Sequence, residues 1–264
     1  MNTIEFSKQI RIESLKMVSR AKSSHIASAF SCADILAVLY NDIMKFNSKD
    51  PNFVDRDRFI LSKGHAGVAL YAALALKNFF SKGELKKYGK KNSNLMAHIS
   101  HKVRGVEFST GSLGQGLPFA TGKAYFAKMN KKRWRTFVLL SDGELNEGSN
   151  WEAIFFIGHH CLSNMTIIID NNKLQGMSKT KNIMNIENFI KNISHLNFDI
   201  KHIDGHNFQE IKKVLSYKSK KPKFIIANTI KGKGIDFMEN NNLWHYKNPD
   251  WSDLDLLISK INNN

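Results

Sequence analysis

Acidic residues gather at one boundary of an otherwise basic chain. The stretch VLLSDGELNEGSNWEA, Val138 to Ala153, begins as an apolar run and then presents Asp142, Glu144 and Glu147 among glycines, before an aromatic-containing helical pattern. A second apolar run, MTIIID, closes on Asp170, Asn171 and Asn172. In a parallel sheet a right-handed crossover brings such strand ends together. The carboxylate of Asp142 and the amide oxygen of Asn172 are then neighbours in one crevice, and both are hard oxygen donors. With one backbone carbonyl they leave several octahedral positions open, a pattern suited to Mg²⁺ held jointly with ligand phosphates. A calcium-binding EF-hand fails on register: the required glycine falls at Gly148 and Ala153 occupies the place of the bidentate glutamate. Capping of the following helix by negative charge is the other reading. Spacing leaves metal binding and capping equally open.

Two further stretches bear on phosphate chemistry. GSLGQG, Gly111 to Gly116, places a tight turn at the start of a helical pattern, where backbone N–H groups suit an anion. It is not GxGxxG after a strand, and IKGKGI lacks the GxxxxGK of a P-loop, so neither carries a function alone.

The elements that must position these residues follow from periodicity. The first third reads as helical: Ser31 and Asp34 have capping-box spacing before ILAVLYNDIM, and GHAGVALYAALALKNFF after RFILS is an Ala-rich buried helix. From Thr136 onward strands and helices alternate: TFVLL, NWEAIFFIGHH, MTIIID, IENFIKNIS, FDIKHID, NFQEIKKVLS, KFIIANT. Continuous apolar strands between helices predict an α/β fold, a parallel sheet with helices on both faces. No linker or repeat divides the chain, so one domain over residues 1–264 is expected, with unknown strand order.

A hydrophobic fraction of 42% over 264 residues can bury a full core. The start, MNTIEFSKQIRIESLKMVSRAK, interleaves charges and contains no signal-peptide block, and no later segment approaches a membrane span. Cys32 and Cys161 form no CxxC, which favours a reducing compartment, and a cytoplasmic location is expected. The formal charge of +16 admits nucleic-acid binding. The abundance of Lys, Asn and Ile in stretches such as KKYGKKNSN gives a simpler account, that of an AT-rich coding sequence.

Laid out this way, the chain resembles the thiamine diphosphate-binding amino-terminal domain of transketolase. The family's thiamine motif corresponds to SDGELNEGSNWEA through DNN, and SSHIAS, RDRFILSKGHA, AHISHKVRGVEFSTGSLGQG, HIDGHN and TIKGKGIDFMENNNLWHYK join it in order. The resemblance implies that Asp142, Asn172 and the carbonyl of Leu174 bind Mg²⁺. It places His65, His245, Gly143 and Asn172 on the diphosphate, and the backbone of Gly111, Ser112 and Leu113 along the thiamine. It gives His25, His98 and His245 to the substrate as catalytic groups, a role suited to a side chain titrating near neutrality. Glu147 corresponds to an acid at a subunit contact. His206 is expected to support the fold, as are His159, His160, His195 and His202; His101 and Glu144 receive no role. Ser141 replaces the first glycine of the GDG pattern, and SHI and AHIS stand where GHP is usual, which bears on substrate preference.

Length is the largest departure. Full transketolases continue into a pyrimidine-binding and a carboxyl-terminal domain, and the glutamate that acts on the cofactor's aminopyrimidine ring lies in the former. The resemblance therefore implies the amino-terminal subunit of a split transketolase, active only with a partner, in an α2β2 assembly, moving a two-carbon ketol unit from a ketose or ketose phosphate to an aldose. The alternatives are a related thiamine diphosphate-dependent synthase, a transketolase dedicated to sugar biosynthesis, and a non-catalytic basic binding protein on the same fold.

Overall fold

The computed structural model describes residues 1–176, 178–185 and 187–263, with the backbone alone for 187–189. Five strands form one sheet: β1 (Arg58–Leu61), β2 (Thr136–Ser141), β3 (Met165–Asn171), β4 (Asp199–Asp204) and β5 (Lys223–Asn228). Their spatial order is β1-β2-β3-β5-β4, and every pairing is parallel. The register sets Ser141 opposite Asp170 and Asn171 opposite Asn228, so β2, β3 and β5 end level with one another.

Successive side chains of a strand point to opposite faces, and here both faces are covered. Phe59, Leu61, Phe137, Leu139, Ile168 and Ile225 pack into one core, while Ile60, Val138, Leu140, Ile167, Ile169 and Ile226 pack into another. This is why the central strands read as unbroken apolar runs instead of alternating ones. The first face carries α1 (Thr3–Ala21), α2 (Ile26–Ser31), α3 (Ala33–Val38), α4 (Gly67–Leu76), α9 (Phe208–Ser216) and α10 (Leu254–Asn263). The second carries α5 (Gly116–Met129), α6 (Gly148–His159) and α8 (Glu187–Ile193). The short α7 (Thr180–Ile183) follows β3. The residue that opens IENFIKNIS, Ile186, lies outside the described residues. Among the described residues no helix is long and apolar enough to cross a membrane.

Two local expectations need correction. RFIL, which periodicity did not mark as a strand, is β1, pairing with β2. Ser31 and Asp34 form no capping box: Ser31 ends α2 and its hydroxyl donates to Asp170, while Asp34 lies inside α3. Long-range partners take both side chains. Asp34 receives a two-pronged contact from Arg11 of α1, both distances 2.8 Å, and faces His206 Nδ1 at 2.7 Å. His206 Nε2 in turn accepts the Ile230 N–H at 2.8 Å, tying α1, α3 and the segment after β5 together.

At the sheet edge, β4 is hydrogen-bonded, among the described residues, to β5 alone. Lys201 and His202 are exposed there, and Lys201 contacts Asp199 at 3.1 Å.

Candidate active site

The level ends of β2 and β3 open into a cleft of about 400 Å³. Its walls include His25, His65, His98, Gly111, Leu113, Asp142, Gly143, Asn172, Leu174 and His245. Every residue expected at a site from the sequence is thus on one cavity except Ser112, which is exposed and does not line it.

Asp142 leaves β2 fully buried. One carboxylate oxygen accepts the Gly143 N–H at 2.8 Å; the other accepts the Lys173 N–H at 2.7 Å and the Thr180 hydroxyl at 3.0 Å. These bonds draw the loop after β3 across the end of β2. Within that loop Asn172 Oδ1 accepts the Leu174 N–H, and Leu174 and Lys179 form an antiparallel bridge. Burial, with Asp170 close by, pushes the Asp142 carboxyl up to about 6. Asp142 caps only the single turn Gly143–Asn146; α6 begins at Gly148 with no side-chain cap. Helix capping therefore does not account for the acidic stretch.

The donor set is one carboxylate, one amide oxygen and one backbone carbonyl. Among the described residues no group of three His, Cys, Asp or Glu side chains could hold a metal, so a softer, nitrogen- or sulfur-rich centre is not built here. Asp142 forms no ion pair among the described residues, and a buried carboxylate without a cation is costly. Hard oxygens with room for ligand oxygens fit Mg²⁺.

Across the cleft stand the imidazoles. His25 lies 4.8 Å from His245, 5.3 Å from His65 and 5.7 Å from His98, ring centre to ring centre. His25 adopts a left-handed backbone (φ 74°), its N–H held by the His245 carbonyl at 2.9 Å. Such a conformation is costly for a residue with a Cβ and clusters at functional positions. Burial, then the neighbouring His98, lowers His25 to about 4. Burial and Lys231 lower His245 to about 3, and burial and Lys63 hold His65 well below its ordinary value. The cleft thus corrects the expectation of histidines titrating near neutrality: His25, His65 and His245 are neutral at pH 7.

Two buried lysines were not anticipated. Lys63 is fully buried and pairs with Asp170, which also accepts from Ser31 and Thr229. Burial disfavours that ammonium, but Asp170 prevails and raises it, while Lys63 in turn lowers Asp170. Lys231 Nζ lies 3.0 Å from His245 Nδ1 and donates to the Leu174 carbonyl at 3.3 Å. Burial and Lys63 lower it to about 8, still mostly charged at pH 7. An ammonium donating to Nδ1 leaves the His245 proton on Nε2, facing the cleft. Lysine is read as a surface residue by default, which concealed both; a lysine two residues after an apolar run, as in RFILSK, was the usable signal for Lys63.

The other histidines lie apart. His101 bonds Ser109 at 2.7 Å on an exposed turn, and His160 packs on Tyr125 and Phe156. A second hollow of about 670 Å³ shares Asn172 and Leu174 but is lined mainly by asparagines and lysines, with no imidazole.

A parallel sheet whose strand ends present a hard-oxygen set opposite neutral imidazoles has the form of an α/β domain that takes its ligand beyond the carboxyl ends of the strands. The sequence matches the family model described as transketolase, thiamine diphosphate binding domain, over residues 3–250. It is 36% identical over 253 residues to a subunit of the apulose-4-phosphate transketolase of Phocaeicola vulgatus, covering 94% of this chain and 90% of that one. Against human transketolase it is 38% identical over 240 residues, covering 90% of this chain but 38% of the human protein. The crystal structure of Campylobacter jejuni transketolase superposes with a TM-score of 0.91 at 32% identity, over 100% of this chain and 43% of that chain. The chain belongs to the transketolase family, through its thiamine diphosphate-binding domain.

Proposed function

We propose that the protein is the amino-terminal subunit of a two-component transketolase that transfers a two-carbon ketol unit from a ketose phosphate to an aldose. The observation that carries this reading is the meeting of Asp142, Asn172 and the Leu174 carbonyl with His25, His65, His98 and His245 on one cleft. It is supported by the near-complete span shared with the Phocaeicola vulgatus protein and the partial span shared with one-chain transketolases. In this reading the chain acts as one domain over residues 1–264, in the cytoplasm.

Asp142, Asn172 and Leu174 hold Mg²⁺. His65, His245, Asn172, the Gly143 backbone and Lys231 take the diphosphate, and the backbone of Gly111, Ser112 and Leu113 borders the thiamine. Bound thiamine diphosphate supplies the electron sink for breaking and making the carbon-carbon bond. His25, His98 and His245 bind substrate hydroxyls. Being neutral, His25 offers one donor and one acceptor nitrogen, so it can take a proton from a hydroxyl or return one to an oxygen, whereas His245, its Nδ1 held by Lys231, offers its Nε2–H as a donor to a substrate oxygen.

A partner supplies the pyrimidine-binding domain, and an apolar face is open to it. Met129, Phe155 and Phe126 are 62%, 58% and 53% exposed on α5 and α6. Between these helices lies a hollow of about 280 Å³ lined by Pro118, Tyr125 and Phe156. Exposed aromatics of this kind mark interaction surfaces. An α2β2 assembly would use this face, with Glu147 at its border.

The test is co-expression with the product of the neighbouring gene, followed by assays of ketol transfer with and without it. Activity only in the reconstituted complex is expected; full activity of the isolated chain would refute the split-site reading. A transketolase dedicated to one unusual sugar is the second reading, favoured by the match to the apulose-4-phosphate enzyme, and a panel of ketose phosphates separates the two.

A further inference from the structure

Glu144 belongs to the acidic stretch but to neither the oxygen set nor the imidazole wall. It is fully buried, two residues after Asp142, and forms no ion pair among the described residues. A carboxylate in that position is expensive unless its hydrogen bonds serve something. Its Oε1 accepts the Ser62 hydroxyl and, at 3.0 Å, the Gly114 N–H. The backbone behind it is fixed as well, because the Asn150 side-chain amide donates to the Glu144 carbonyl at 2.6 Å.

The Gly114 peptide is gripped from both sides. Ser149, also in the acidic stretch, donates its hydroxyl to the Gly114 carbonyl at 2.7 Å. Gly114 sits at φ +81°, and a Cβ there would fall 2.5 Å from Ser149 Oγ and 2.7 Å from Glu147 Cβ. Glycine is required at this point. The turn so held carries Leu113 on the cleft wall and Gly111 against the His98 ring, where a Cβ would meet the ring at 3.1 Å. The carboxylate therefore joins two loops, the one bearing Asp142 and the one bearing Gly111 and Leu113, and Ser149 reinforces that joint from the other side. It also lies near the amino end of α5, where negative charge is favoured.

We infer that Glu144 is a positioning residue which, through the Gly114 amide, holds the Gly111–Leu113 wall in register with Asp142 for the thiamine portion of the bound cofactor. The inference rests on the functional reading above and assigns a task to the one acid of the stretch that had none. It concerns the ring end of the ligand, not the diphosphate end, and this distinguishes it from general scaffolding.

Calorimetric titrations of the full chain at saturating Mg²⁺ test it, using thiamine diphosphate and inorganic pyrophosphate as separate ligands. Glu144→Ala weakens thiamine diphosphate by roughly tenfold, the scale on which residues behind a ligand shell act, and leaves pyrophosphate binding unchanged. Glu144→Gln, which keeps an oxygen for Gly114, restores the lost affinity. Ser149→Ala removes the opposite grip without unpairing a buried carboxylate, and weakens thiamine diphosphate selectively as well; it carries the test if Glu144→Ala does not fold. Equal loss for both ligands, or unchanged thiamine diphosphate affinity in the alanine variants, overturns the inference and leaves the functional reading standing. A wild-type chain that binds neither ligand overturns both.

Discussion

At pH 7 the imidazoles of His25 and His245 carry no charge, because burial disfavours the imidazolium and His98 and Lys231 repel it. A base whose folded value lies below its unfolded one binds more protons when unfolded. Its stabilising contribution is therefore complete above the unfolded value, about 6.5, and is lost as the pH falls toward about 4 for His25 and about 3 for His245. Asp142, raised to about 6, acts in the opposite sense over part of that window. Single-residue variants separate the contributions: His245→Asn makes the dependence of unfolding free energy on pH between about 6.5 and 3 shallower than in the wild type. Denaturant unfolding at stepped pH measures this, and the ring-proton resonances of His25 and His245 in the wild type should shift only well below pH 6. For the metal, Asp142→Ala removes the one charged donor, and thiamine diphosphate affinity at fixed Mg²⁺ should fall by about 100-fold or more by calorimetry. At this scale the oxygen donors Asp142 and Asn172 were legible from side-chain type and position at strand ends, whereas the imidazoles were marked only by the family resemblance. Lys63 and Lys231 were not, since only the fold reveals that Asp170 and His245 face them.

Secondary structure brings these groups together through a few close approaches of backbone. Gly64 follows β1, and a Cβ there would lie 2.4 Å from the carbonyl carbon and oxygen of Thr110, whose hydroxyl already donates to the Leu61 carbonyl. Gly64→Ala should cost roughly 1–3 kcal/mol, the range of an overpacked interior, measured as a lower denaturation midpoint, because rigid backbone cannot yield as a side-chain tip can. The alternation from Thr136 onward was readable since β2, β3 and β5 are buried on both faces and their helices separate them cleanly. RFIL was not readable as β1: four residues give no period, and the Ala-rich pattern that follows dominates the window. Strand order was hidden too, because pairing β5 between β3 and β4 depends on contacts distant in sequence. The spacing of Ser31 and Asp34 misled because capping is a local rule, and here Asp170 and Arg11 outcompete it.

At the scale of the whole molecule two surfaces stand out, a cleft at the strand ends and an aromatic face on α5 and α6. Replacing Phe155 and Phe156 with serine should weaken capture of the partner subunit by tenfold or more, since buried aromatic anchors contribute about 2 kcal/mol or more each. The thermal midpoint of the isolated chain should barely move, because exposed positions change stability by only about 0.5 kcal/mol. Analytical ultracentrifugation of the mixture and a melting curve of the chain measure the two. In the two-component reading proposed above, a subunit made apart from its partner also faces a hazard that a continuous enzyme meets less often, namely its own copies. Among the described residues no strand lies beside the outer edge of β4, and an uncovered edge is a template for one molecule to add to the next. Lys201 and His202 stand exposed on that strand beside Asp199. Bringing a second such strand alongside would crowd the Lys201 ammonium and strip water from both side chains, which disfavours growth of the sheet at β4 and, in the two-component reading, leaves association to the aromatic helices.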